Sequence, residues 1–163
     1  MGPRQDILIW NDYFMAIAKL CSMRSRDPHT QVGSVLVDDL NHIIGTGYNG
    51  LPRNCDPNSF PWDREGDFLN TKYAYVQHSE INALDSADKT RLRGSRLFTT
   101  LFPCNTCAKS IIQNGVKEVI YLSDKYYGSN ERIAARKLFG SAGIITRAFV
   151  QKEQPIIIEL KDK

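Results

Sequence analysis

Apolar positions recur at two spacings along this chain, and the switching between them predicts an α/β fold. From Ile9 to Arg24, the residues Trp10, Tyr13, Phe14, Ile17, Leu20 and Cys21 fall at helical spacing and predict a helix with that stripe as its buried face. Val32–Val37 is short and β-branched, and His42–Tyr48 resumes after the turn residues 38–41. The pair predicts an antiparallel hairpin. His78–Ala87 returns to helical spacing, with Ile81 and Leu84 marking its apolar face. Arg96–Leu101 is a strand. Cys104–Asn114 is a helix, with Pro103 before it and Gly115 as its stop. Val116–Leu122, a helix over Arg132–Ala142 ended by Gly143, and Ile144–Val150 complete the series, with a short sixth strand expected at Pro155–Leu160. Strand–helix–strand units late in the chain imply right-handed crossovers and parallel late strands. The expected fold class is therefore α/β: a three-layer α/β/α sandwich around a five-stranded mixed sheet.

One stretch breaks the pattern. Asn49–Asn70 holds three prolines, two glycines and mixed charge, and reads as a long surface loop, a feature that in compact domains is usually functional.

Composition narrows the class without naming a chemistry. A chain of 163 residues suits one domain over 1–163, with a core from about 8 to 150 and a frayed tail over 151–163. Apolar residues at 42% and charged residues at 24% are ordinary for a globular protein, and a net charge of +3 is too small to mark a polynucleotide binder. No apolar run is long enough to span a bilayer, and Met1–Asp6 lacks the layout of a signal peptide. A cytoplasmic setting is expected, where Cys21, Cys55, Cys104 and Cys107 stay reduced and serve as ligands or free thiols.

Candidate chemistry concentrates in His78-Ser79-Glu80 and Pro103-Cys104-Asn105-Thr106-Cys107, each at an expected helix start. Cys104 and Cys107, three apart in a first helical turn, present both sulfurs on one side, and the helix N-terminus favours their thiolates. With the His78 imidazole they make three zinc ligands and leave a fourth position for water, the mark of a catalytic rather than structural site. Glu80 need not be a ligand. Beside the open position it can take a proton from bound water and deliver it to a substrate. A His-x-Glu alone carries little, and a lone Cys-x-x-Cys fits a redox pair or half a structural site. Together, with Cys104 26 positions after His78, they form the His-x-Glu…Pro-Cys-x-x-Cys signature of zinc base deaminases. With only His29 and His42 besides His78, a closed four-ligand site is hard to assemble. Cys21 is expected in the core, Cys55 as a free thiol in the loop and His42 in solvent.

Several longer segments resemble the deoxycytidylate deaminases of the cytidine deaminase superfamily. They are residues 25–33 (Ser-Arg-Asp-Pro-His-Thr-Gln-Val-Gly), Gly47-Tyr48-Asn49-Gly50-Leu51-Pro52, Thr71-Lys72-Tyr73, Leu101-Phe102-Pro103-Cys104 and Ser123-Asp124-Lys125-Tyr126. The likeness runs from about Trp10 to Phe149. It implies a cytidine deaminase-like fold and hydrolysis of dCMP to dUMP and ammonia, supplying dUMP for thymidylate synthesis. Water activated by zinc would attack carbon 4, with Glu80 protonating ring nitrogen 3 and assisting loss of the amine. By the same resemblance Asn49 contacts the sugar, Thr30 lies near the substrate, and Ser79 helps frame the base. Ser79 stands where such deaminases usually carry a small apolar residue. A 5′-phosphate needs a clamp, for which Arg26, Lys125 and Tyr126 are candidates. The alternatives are a solvated Arg or Lys and a core Tyr126. The resemblance also implies a homo-oligomer, commonly a hexamer, activated by dCTP with Mg2+ and inhibited by dTTP. Gly47, Tyr48 and Gly50 would form the effector site, unless those glycines simply permit a tight turn. Rival readings are a deaminase of tRNA or single-stranded DNA and a non-catalytic zinc module. Neither a membrane nor a polynucleotide is an expected partner.

Overall fold

Strands and helices follow in the expected order in the computed structural model, which describes residues 1–152 and 155–158. Helix α1 (Trp10–Ser22) leads into the hairpin β1 (Gly33–Val37) and β2 (Ile43–Tyr48). Helix α2 (Ser79–Ser86), strand β3 (Arg96–Leu101), helix α3 (Asn105–Gln113), strand β4 (Glu118–Ser123), helix α4 (Asn130–Ser141) and strand β5 (Ile145–Ala148) complete it. The sheet order is β2-β1-β3-β4-β5. β1 runs antiparallel to both β2 and β3, while β3, β4 and β5 are parallel, as the crossover argument requires.

Alternation along the strands divides the core. Leu36, Leu97 and Val119 face a cluster with Ala83, Leu84, Ala108, Ile111 and Phe139, so α2, α3 and α4 share one side of the sheet. Val35, Val37, Phe98 and Ile120 face Phe14, Met15 and Ala18 of α1 on the other. The three expected layers are present, and the site is built on the side with three helices.

Two expectations need correction. The buried stripe of α1 is Asp12, Phe14, Met15, Ala18 and Ser22, whereas Trp10, Tyr13 and Leu20 are exposed. Close approach, rather than apolar count, sets this register. A Cβ on Gly33 would lie 1.9 Å from the Ala18 carbonyl oxygen, so the backbones of α1 and β1 meet where both residues are small. Tyr13, Ile17 and Leu20 instead line a shallow opening with Leu8 and residues 155–158, across the sheet from the zinc motif. The second correction is the sixth strand. Residues 155–158 are not extended into one, and the rest of that segment lies outside the described residues.

Gly47 positions the site directly. A Cβ there would lie 2.3 Å from both the Ser79 carbonyl oxygen and the Ala83 nitrogen, so the missing side chain lets the first turn of α2 lie against β2. Gly47→Ala must push that turn, and with it His78 and Glu80, off the sheet. Overpacking of this kind destabilises by about 1–3 kcal/mol. A lower melting temperature together with weaker zinc retention in a chelator titration is the expected result. Unchanged zinc affinity would show that the helix start tolerates the shift.

Among the described residues, no helix is long and apolar enough to cross a membrane.

Candidate active site

Two helix starts converge on one point. His78 is the N-cap of α2 and Cys104 the N-cap of α3, both in extended backbone, with Cys107 in the first turn of α3. Neither cap uses a side-chain hydrogen bond to its helix, which leaves the imidazole and the thiol free to turn outward. His78 Nδ1 lies 3.4 Å from each sulfur, and the three donor atoms all lie within 4.8 Å of one another. The sulfurs are buried and the imidazole is exposed, so the group opens on one side. A ring coordinating through Nδ1 keeps its proton on Nε2.

The donor set fits zinc: two soft sulfurs and one imidazole at the required proximity, with no fourth His, Cys, Asp or Glu joining the group among the described residues. Its electrostatics fit as well. A hydrogen bond from Cys107 holds the Cys104 thiol down to about 3, with the His78 imidazole contributing. The same bond, together with burial, pushes Cys107 up. One proton is thus shared between two sulfurs, and a dication is the natural replacement for it.

Glu80 is the second residue of α2, in its first turn, and is buried. Burial pushes its carboxyl up from the ordinary range, against the opposing pull of the His78 charge. Its Oε2 accepts from Ser79 Oγ at 3.0 Å. Ser79 Oγ is 2.8 Å from Ser34 Oγ, which lies 3.0 Å from Thr99 Oγ1, whose hydroxyl donates to the Leu101 carbonyl at 3.2 Å. A file of buried hydroxyls therefore ties the carboxylate to the middle of β1 and β3.

These residues line one cavity of about 800 Å³. Its opposite wall is organised around a buried ion pair, Lys72 Nζ to Asp27 Oδ2 at 2.5 Å. Asp27 also accepts from the backbone amides of His29 (2.9 Å) and Thr30 (3.2 Å) and from Asn49 Nδ2 (3.2 Å). Burial opposes its charge, but these donors outweigh it and hold the carboxyl below its usual range.

With this geometry in place, comparison with known proteins is decisive. The family model for the cytidine and deoxycytidylate deaminase zinc-binding region matches residues 8–123. The chain belongs to that deaminase family. Human deoxycytidylate deaminase is 48% identical over 157 residues, covering 96% of this chain and 88% of the relative. A probable deoxycytidylate deaminase of Drosophila melanogaster is 44% identical over 162 residues, covering 96% and 80%. The crystal structure of dCMP deaminase from cyanophage S-TIM5 in complex with dCMP and dUMP aligns with a TM-score of 0.65 at 26% identity, over 91% of this chain and all of that one.

The deaminase brings together most of the residues singled out from its sequence. His78, Ser79, Glu80, Cys104, Cys107, Thr30, Asn49 and Tyr126 all line the cavity. The Ser79 hydroxyl is engaged by Ser34 and Glu80. Asn49 donates to Asp27 and to the Thr30 carbonyl (2.9 Å), and its Oδ1 accepts from the Val32 amide (2.8 Å). Both amide donors are thereby committed to the wall, leaving one lone pair on Oδ1 for a ligand. Lys125 lies at the rim, its Nζ donating to Thr30 Oγ1 at 3.4 Å. Arg26 is exposed and does not line the cavity, and neither do Gly47, Tyr48 and Gly50. Cys21 is half-buried against the α1 cluster, and Cys55 is a free thiol in the loop, as expected. His42 is exposed but not merely solvated, since its Nδ1 lies 3.3 Å from Asp38, which Arg91 also pairs.

Sequence reasoning missed Lys72, Arg64 and Arg132, which line the cavity, and Ser34 and Thr99 behind Glu80. Thr71-Lys72-Tyr73 carried the resemblance without a role. Arg64 lies in the long irregular loop, which thereby reaches the cavity.

Proposed function

We propose that this deaminase converts dCMP and water to dUMP and ammonia. The observation that carries the reading is the carboxyl of Glu80, buried beside a three-donor zinc set that opens into a nucleotide-sized cavity. The names of the relatives support the choice of substrate. His78, Cys104 and Cys107 would hold zinc, which when bound supplies a Lewis acid that brings the pKa of water near neutrality. Glu80 takes the proton released by water, passes it to ring nitrogen 3, and assists departure of the amine as ammonia. The Ser79 hydroxyl keeps the carboxylate in one orientation, and the wall built by Asp27, Asn49 and Thr30 positions the nucleotide. Lys125 and Tyr126 serve the end of the cavity near Thr30.

The same reading includes regulation. It takes the enzyme as a homo-oligomer, a hexamer, in the cytoplasm, with Mg2+ and dCTP activating and dTTP inhibiting at a site around Gly47, Tyr48 and Gly50. Ammonia release from dCMP, CMP, dCTP and deoxycytidine, with and without Mg2+ and dCTP, tests both parts. The fastest release is expected from dCMP, with a saturation curve made less sigmoidal by the effector. A curve unmoved by effector would remove the regulatory claim, and preference for another substrate would remove the first.

A further inference from the structure

The cavity holds a positive charge that neither the zinc set nor the Asp27 wall accounts for. Arg132, in the first turn of α4, is 7% exposed and lines the cavity. Among the described residues no carboxylate lies within ion-pair distance of its guanidinium, and its side chain donates no hydrogen bond. A buried cation left this way is destabilising unless an anion completes it. Two thiolates already neutralise a zinc dication, so the metal set does not need Arg132, although its charge is close enough to act on His78 and Cys107.

The surroundings suit an anion. The Ser129 N-cap and the first turn of α4 line the same cavity, and a helix N-terminus presents amide donors and positive potential. The Arg132 guanidinium sits 5.9 Å from the centre of the Tyr126 ring. Hydrogen bonding with Thr30 and the charges of Lys125 and Arg64 hold the Tyr126 phenol below its usual range. Arg64 lines the cavity, donates to the Tyr73 hydroxyl at 3.4 Å and interacts with the Tyr126 hydroxyl as well. The opposing charge is Glu131, which is exposed and whose carboxyl is engaged by its own backbone amide and the Ser129 hydroxyl.

We propose that Arg132, assisted by Arg64 and Tyr126, receives the 5′-phosphate of the substrate and selects nucleotides over nucleosides. This rests on the reading of the cavity as a nucleotide deaminase site. A phosphate dianion pairs with a guanidinium through two parallel hydrogen bonds, and a nucleoside leaves that group buried and unpaired. Discrimination then arises from the penalty on the substrate that lacks the phosphate as much as from attraction to the one that has it.

The test uses the zinc-loaded protein, with ammonia release from dCMP and deoxycytidine and calorimetric binding of dUMP and deoxyuridine. Arg132→Met is expected to lower kcat/KM for dCMP by roughly 100-fold, mostly through KM, and to weaken dUMP binding in parallel. Deoxycytidine turnover and deoxyuridine binding should rise, because the penalty on a nucleoside goes with the guanidinium, and Arg132→Lys should restore part of the dCMP loss. Arg64→Met, at an exposed loop position, should move dCMP in the same direction by a smaller factor. Equal losses on nucleotide and nucleoside, or undiminished dUMP affinity in folded Arg132→Met, would overturn the assignment. If Arg132→Met fails to fold, Arg64→Met and Tyr126→Phe decide, and an unchanged nucleotide preference in both overturns it. A parent protein that binds dUMP through Arg132 but releases no ammonia from dCMP would sink the substrate reading and leave the phosphate receptor standing.

Discussion

Glu80→Gln will fold and hold zinc yet lose turnover by roughly 10²–10⁴-fold, the range for removing a positioned general acid–base. The amide keeps the shape of the side chain, and its carbonyl can still accept from Ser79, so the hydroxyl file behind it survives. What disappears is the group that moves a proton between water, ring nitrogen and leaving amine. Burial pushes the native carboxyl up, so the neutral amide is no worse accommodated than the acid, and the melting temperature should not fall. Zinc content, a thermal melt and ammonia release on one preparation check all three points. Parent-level turnover in a zinc-containing variant would mean that another group moves the proton.

The second large effect belongs to stability. Lys72→Met leaves the Asp27 carboxylate buried without its cation, and breaking such a pair is worth about 3–5 kcal/mol. The loss should depend on pH in a definite sense. In the parent, Asp27 titrates below its unfolded value, so its contribution is present above that value and fades as pH falls through the folded one. Without Lys72, burial is opposed only by the His29 and Thr30 amides and Asn49, so the folded value rises and the variant's carboxylate takes up its proton at higher pH than the parent's. The gap between parent and variant should therefore narrow as pH falls from 7 toward about 4, near the ordinary Asp value. Chemical denaturation across that range measures it, with Asp27→Asn/Lys72→Met as the partial rescue. A gap independent of pH would assign the effect to packing alone.

The zinc set was legible in the sequence because its donors sit in two short motifs at helix starts, where spacing alone fixes which side chains can meet. The sheet was legible because β-branched runs and turn residues alternate cleanly, and strand direction follows from the handedness of the crossovers. The face of α1 was not. Apolar count favoured Trp10, Tyr13 and Leu20, but the close contact between Ala18 and Gly33 decided which stripe meets the sheet. The remaining site residues were hidden for a related reason. Ser34 acts on Glu80 across the gap between β1 and α2, and Lys72 acts on Asp27 from 45 positions away. Arg132 lies in a helix with no motif of its own. Arg26 drew attention through a matching segment, yet the fold sends it into solvent while Asp27 beside it turns inward.

The meeting of two helix starts has a mechanical side. An ion gripped at once by an imidazole from α2 and sulfurs from α3 staples together backbone segments that the chain otherwise joins only through the length of α2 and β3. Stripping it with a chelator should therefore soften this edge of the sandwich as well as silence it, and free zinc should raise the unfolding temperature in proportion to the logarithm of its concentration.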